Sequence, residues 1–407
     1  MNLVRDRRGL GAARLRSGLP QVSALLAHRA AIELLAGLAV VASIRPFSGL
    51  QPALGLIDLI AAAATLPLLL VYAGEIPRFL KWIAASSLVI FVSGLIHGVD
   101  IVSSVRPLAF AAILGLAILS GDAKRFARAA YYGVAAVVAL QLLGSLFGLG
   151  RRLDSLSDGG PVDGRLVGWP FAVHPNEIAM MSGAVLTIAI TRLLDRSGNR
   201  IDVASAAAAA VALIASGSRT AAVAAAASLL AAWVISSVKH SRWRSLSAGF
   251  VVLAILVFPL TGAVRDFTGE RFESGDGSQL SGRTRAWSVV VDDALADLDI
   301  GLIGVGPAGV TVPVEGISRP TQGVDNGYLV LLRMGGAIAA ALFAVGLGSA
   351  LRRVTQHGLW GSHAMETTAL GAFILIGSLA QSELVLLSPA TLLFWSYVSA
   401  CSAEHAR

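Results

Sequence analysis

Apolar segments recur along almost the whole chain, and that recurrence leaves few folds open. They fall at roughly 30–44, 51–73, 80–96, 106–120, 129–149, 176–191, 202–216, 220–238, 246–263, 326–350, 364–380 and 384–402, with short polar or basic stretches between most of them. A water-soluble fold cannot bury so many apolar segments in one core, so the pattern predicts an all-α integral membrane protein with about 12 transmembrane helices. Composition agrees: 55% of residues are apolar and only 14% charged, and the mean hydropathy is +0.73. Several windows, 202–216 among them, fall short of the roughly 20 residues that a crossing helix needs. The alanine tract from Ala206 to Ala210 suits close helix packing in lipid, where small residues let backbones approach.

The net charge of +7 does not point to nucleic acid, because the chain has neither a lysine-rich face nor a basic run interleaved with aromatics. Its basic residues punctuate the apolar segments instead. With the N-terminus placed in the cytoplasm, the inside segments hold twenty Lys and Arg, including all three lysines, and the outside segments hold eleven. That bias predicts both termini inside and an even number of spans. The resulting layout is a basic cytoplasmic N-terminus over 1–29, membrane helices 1–9 over 30–263, an outside loop over 264–325, membrane helices 10–12 over 326–402 and a cytoplasmic tail over 403–407. No small-residue cleavage site follows the basic opening, so no cleavable signal peptide is expected. Cys401 is the single cysteine, which excludes an intrachain disulfide and argues against a cysteine metal site.

The loop over 264–325 is the longest region without a span. TGERFESGDGSQ is its turn-rich lead-in, and Ser281 is placed to cap a helix from about 282 to 298. Trp287, Val291, Leu295 and Leu298 recur near the helical period, which predicts an apolar stripe laid along a membrane surface. GLIGVGPAG reads as a tight connection, since it lacks the lysine and hydroxyl residue of a nucleotide loop.

Charged residues near the outside face need explaining, and each has a structural reading beside a functional one. Arg219, in IASGSRTAA, either snorkels to the interface or presents its rigid fork to two phosphate oxygens. Arg283 and Arg285, in SGRTRAWSVVVDD, are either solvent contacts of a surface helix or anion ligands. In GRLVGWPFAVHPNEIAMM, His174 precedes Pro175 as a helix start does, with Asn176 as a nearby cap, yet His174, Asn176 and Glu177 also place ionisable groups at a membrane mouth. In VDNGYLVLLRMGG, Asp325 is placed either to cap the next span or to orient a hydroxyl. Arg333 lies about two turns deeper and calls for a partner such as Glu33, Asp58, Glu366 or a polar cavity, most simply as a structural ion pair. The adjacent Asp292 and Asp293 read as solvated groups or helix-dipole partners rather than as a two-metal site.

Four stretches in order, RLVGWPFAVHPNEIA, SGSRTA, SGRTRAW before GVGPAG, and DNGYLVLLRMGG, make residues 160 to 345 resemble the O-antigen ligase and polymerase superfamily. The resemblance implies a multispanning enzyme of the bacterial inner membrane, active at its periplasmic face on an undecaprenyl-diphosphate-linked glycan. It implies that Arg219 and Arg283 engage the diphosphate. Asp325 stands where ligases usually carry a histidine, before Asn326, and this departure leans toward polymerisation of O-antigen, capsule or exopolysaccharide repeats; ligation to lipid A core is the alternative. The expected catalytic set is Arg219, Arg283, Asp325 and His174, with Asp325 as first and His174 as second choice of base. Arg165, Arg285, Trp287, Asn326 and Tyr328 are expected to hold sugars or phosphate. The growing glycan or lipid A core is the expected acceptor, and chain-length regulators or export proteins are the expected partners, with no cofactor and no metal. A transporter of polyprenyl-linked glycan is the rival from another class, but the chain shows no internal repeat and its notable charges gather at one face.

Overall fold

The computed structural model describes residues 29–44, 76–119, 122–149, 166–169, 173–239, 279–313, 321–356, 363–379, 381 and 388–403. Among them the helices are α1 (Arg29–Ser43), α2 (Arg78–Ile96), α3 (Ile101–Leu119), α4 (Ala123–Leu146), α5 (Pro175–Leu194), α6 (Arg200–Ser216), α7 (Arg219–Lys239), α8 (Gln279–Ala296), α9 (Leu298–Ile303), α10 (Gly327–Gln356), α11 (Ala364–Gly377) and α12 (Pro389–Ala403). A 3-10 turn over Gly306–Val310 and an antiparallel pair, β1 (Thr311–Pro313) with β2 (Thr321–Gly323), lie between α9 and α10.

The expectation of about 12 transmembrane helices is corrected. Among the described residues, four helices are long and apolar enough to cross a membrane: α2, α4, α5 and α10. Counting apolar windows overstated the number because several apolar stretches are too short to be a span. The windows 51–73 and 246–263 lie outside the described residues. The apolar stretches Ala30–Ser43 of α1, Ile101–Gly115 of α3, Arg219–Ile235 of α7 and Ala364–Gly377 of α11 are shorter. The window 384–402 yields α12, which is buried along its described length. A helix buried on every face belongs to a core, not to a lipid boundary. The fold is also not purely helical, since β1 and β2 pair with Thr311 opposite Gly323 and Pro313 opposite Thr321.

α12 and α5 form the centre. Trp395 of α12 stacks on Phe79 of α2 and meets Phe343 of α10 edge-on, with ring centroids 5.9 and 6.1 Å apart. α5 packs on α6, α7 and α11, and is itself mostly buried. Around this centre, side chains such as Leu34, Leu88, Val92, Leu143, Val211, Val223 and Ile338 stay exposed. An exposed apolar surface of this extent fits contact with lipid tails.

Two ends of the bundle can be told apart. α5 and α6 run antiparallel through a turn at Asp195–Asn199, where Asn199 and Asp202 form a capping box. At that end Arg192 donates from Nη1 to Asp202 Oδ1 at 3.0 Å and lies over the rings of Tyr131 and Tyr132. At the opposite end, Gly217 in a left-handed conformation (φ 63°) closes α6 and lets the chain turn at once into α7.

Candidate functional site

The candidate site lies at the end of the bundle where α6 passes into α7. Arg219 is the first residue of α7 and is exposed. Backbone and side-chain hydrogen bonds gather the other elements round it. Leu166 N donates to Ala215 O at 3.0 Å, and Val173 N donates to Val167 O at 3.0 Å, which brings the start of α5 to this end. Gln381 Nε2 donates to Ser218 Oγ at 3.4 Å. Gly327 N donates to Ser378 O at 2.8 Å and Asn326 Nδ2 to Leu379 O at 2.9 Å, tying the start of α10 to the end of α11. Three helices, α5, α7 and α10, therefore begin on one side of the bundle. Their positive dipole ends suit an anion.

Each helix start is built by its own sequence. His174 caps α5: its Nδ1 accepts from Asn176 N at 3.2 Å, and Pro175 takes the first helical position, where no N–H is needed. His174 is thus the cap in place of the expected Asn176. Asn326, not Asp325, caps α10, with Oδ1 accepting from Tyr328 N and Leu329 N, both at 3.0 Å. Both ends of the Asn326 amide are thereby engaged by the protein, and the Tyr328 hydroxyl donates to Leu375 O at 3.0 Å. Asp325 is half-buried between β2 and α10.

α8 approaches from the loop side, packing on α10 and on both strands of the hairpin that leads into Asp325. Its extent corrects two expectations. The helix begins at Gln279, so Ser281 lies within it instead of capping it, and it ends at Ala296, after which Asp297 caps the separate α9. A second face of the helix packs on the protein: Ala286 and Val290 are buried and Trp287 half-buried, whereas Val291, Leu295 and Leu298 are exposed. Trp287 Nε1 is buried without a hydrogen-bond partner among the described residues. Arg285 is exposed. Arg283 lies in α8, seven positions before Val290, and seven residues is about two helical turns. Arg165 lies outside the described residues.

Other polar groups at this end went unnoticed in the sequence. Gln141 of α4 is fully buried with neither Oε1 nor Nε2 paired among the described residues, and it sits against Gly168, whose φ is 84°. Ser378 Oγ is likewise buried and unpaired. No pattern in the sequence announces such groups, because a single Gln or Ser in an apolar window looks like any other. The partner of Arg333 is Asp293 of α8, at 2.6 Å, in place of Glu33, Asp58 or Glu366. Asp293 is accordingly an ion-pair partner and not merely a solvated group. Among the described residues, no group of three His, Cys, Asp or Glu is placed to hold a metal ion.

Comparison with curated proteins and with solved structures gives no match. A family model described as O-Antigen ligase matches residues 204–344, from early α6 into the second half of α10. That segment carries Arg219 at the head of α7, the whole of α8, and Asp325 at the approach to α10. Over these residues, the chain carries an O-antigen ligase domain of the ligase and polymerase superfamily.

Proposed function

We propose that the protein is a glycosyltransferase that moves a glycan from a polyprenyl-diphosphate carrier to an acceptor hydroxyl at the outer face of the bacterial inner membrane. The observation that carries this reading is the gathering of three helix starts, with Arg219 at the head of one, at a single end of an apolar bundle. The ligase form comes first, because the matched family is described by that activity. Polymerisation is the second reading, favoured by Asp325 where the resemblance expects a histidine.

In this reading the acceptor oxygen attacks the anomeric carbon, the bond from that carbon to the diphosphate oxygen breaks, and the diphosphate leaves with the electron pair. Arg219 and Arg283 neutralise the charge that develops on it. Asp325 takes the acceptor proton, with His174 as the second choice for that base. Arg285 faces the glycan with Trp287 beside it, and Arg165 is a further ligand. Exposed Val291, Leu295, Leu298 and Leu302 rest on the lipid headgroup boundary, keeping α8 and α9 level with the diphosphate.

The test uses purified protein in liposomes with an undecaprenyl-diphosphate oligosaccharide and lipid A core, with products separated by size and by attached lipid. Single-glycan transfer to lipid A core is expected, and Arg219→Ala should lower its kcat by roughly 10²-fold, the scale of losing one preorganised electrostatic donor. A ladder of lengthened glycans without transfer to core would select the polymerase instead. No new glycosidic bond, with lipid-linked glycan merely changing sides, would sink both.

A further inference from the structure

We propose that Arg333 and Asp293 form a positioning pair that sets the pose of α8, the helix that carries Arg283; this deepens the glycosyl-transfer reading and rests on it. The observations begin with a break in α10. Gly336 has φ 64° and ψ −170° inside an otherwise helical stretch. The break separates the first two turns or so of α10, which hold Arg333, from the longer helix that follows. A side chain at Gly336 would strike the backbone of Leu302 and Ile303. One at Gly304 (φ 73°) would strike the backbone of Met334 and Gly335.

The segment after α8 is thus seated backbone to backbone on the broken part of α10. Val305 N donates to Arg333 O at 2.8 Å, and Ser93 Oγ of α2 donates to Gly304 O at 2.8 Å. This seat fixes α9 and the 3-10 turn. It does not by itself fix the direction in which α8 leaves, because Asp297 ends α8 before α9 begins.

Arg333 supplies a further constraint, beside the packing of α8 on α10 and on the hairpin. Its side chain is about 10% exposed, and its Nη1 donates to Asp293 Oδ2 at 2.6 Å, near the C-terminal end of α8. Asp293 is 38% exposed, so the pair adds little to stability through attraction alone. A buried guanidinium without its carboxylate is nevertheless costly, which selects the arrangement of α8 that brings Asp293 inward. Asp293 lies three residues after buried Val290 and seven after buried Ala286. Helical spacing puts the pair on the inward side of α8, the helix that also carries Arg283. Moving Asp293 away from Arg333 therefore rolls or lifts the segment that carries Arg283. Neither residue is assigned contact with substrate.

The test separates positioning from stability and from the functional reading. Spin labels on Ser288→Cys and Ile338→Cys, in a Cys401→Ser background, report the distance from α8 to α10 without any catalysis. A single narrow distance is expected with the native pair, a broadened or shifted one in Arg333→Ala and Asp293→Asn, and recovery in the exchanged pair Arg333→Asp with Asp293→Arg. An unchanged distribution in the folded single variants overturns the proposal. If a single variant does not fold, failure of the folded exchanged pair to reproduce the narrow distance overturns it.

The kinetic arm uses the liposome assay. Arg333→Ala is expected to lower kcat roughly 10- to 100-fold, the scale of a small misplacement, with partial rescue by Arg333→Lys. In an Arg283→Ala background the same substitution should add almost nothing, because the group it positions is gone. A full additional loss there overturns the positioning role. If Arg283→Ala itself leaves transfer unchanged while the distances respond as expected, the functional assignment of Arg283 fails and the control of α8 by the pair stands.

Discussion

Arg192 and Asp202 show how the chain treats charges that lie away from the candidate site. Asp202 is fully buried, and besides Arg192 it accepts from Asn199 N at 2.8 Å, so one carboxylate both pairs the arginine and completes the cap of α6. Asp202→Ala strands a buried guanidinium and opens the cap, and is expected to destabilise the protein by about 3–5 kcal/mol, read as a lower midpoint of thermal unfolding in detergent. Arg219 has the opposite profile, being exposed at the head of its helix. Arg219→Lys keeps the charge and loses the planar fork, so its transfer rate should fall between those of the native protein and Arg219→Ala; equal rates for lysine and arginine would show that only charge matters there. The candidate residues at helix starts were legible in the sequence because each sits in a local pattern, such as HPNE or DNGY. The partner of Arg333 was not, because Asp293 lies 40 positions away and only the packing of α8 on α10 brings the two together.

At the scale of elements, glycines decide where helices stop, kink and touch. Gly336→Ala forces a side chain into a left-handed conformation and onto the backbone of Leu302 and Ile303. The conformational strain alone is on the order of 1–3 kcal/mol, so loss of both thermal stability and transfer activity is expected. Gly348, further along α10, has open space about its Cα, and Gly348→Ala should be neutral or stabilising by up to about 1 kcal/mol. Similar melting behaviour for the two variants would contradict the role given to the break. From the sequence, α10 read as one uninterrupted span from 326 to 350, since GG inside an apolar run carries no mark of a positive φ. The helix in the loop was legible from its period, but its inward face was not. The large apolar residues Val291, Leu295 and Leu298 drew the stripe, while the face that is buried in the protein runs through the small Ala286 and Val290.

At the scale of the whole molecule, the described residues form an apolar bundle with a polar pole at each end, and charge and position together suggest an orientation to test. Arg192, Arg196 and Arg200 mark the end where α5 turns into α6, whereas Arg219 marks the other. Cytoplasmic ends of membrane proteins are enriched in Lys and Arg, so the proposed orientation puts the first pole inside and the candidate site outside. Single cysteines in a Cys401→Ser background test this, because position 401 is buried and its removal leaves the surface free of thiols. Ser288→Cys on exposed α8 should react with a membrane-impermeant maleimide once the outer membrane is opened, while Arg200→Cys should react only after the inner membrane is breached. Leu295, 82% exposed, separates lipid from water as the cover of α8. A fluorophore on Leu295→Cys should be quenched by brominated lipid tails, and one on Ser288→Cys much less. The reverse labelling order would put the site on the cytoplasmic side, where a glycan awaiting transfer to an outer-face acceptor is not presented, and the proposed function would fail with it.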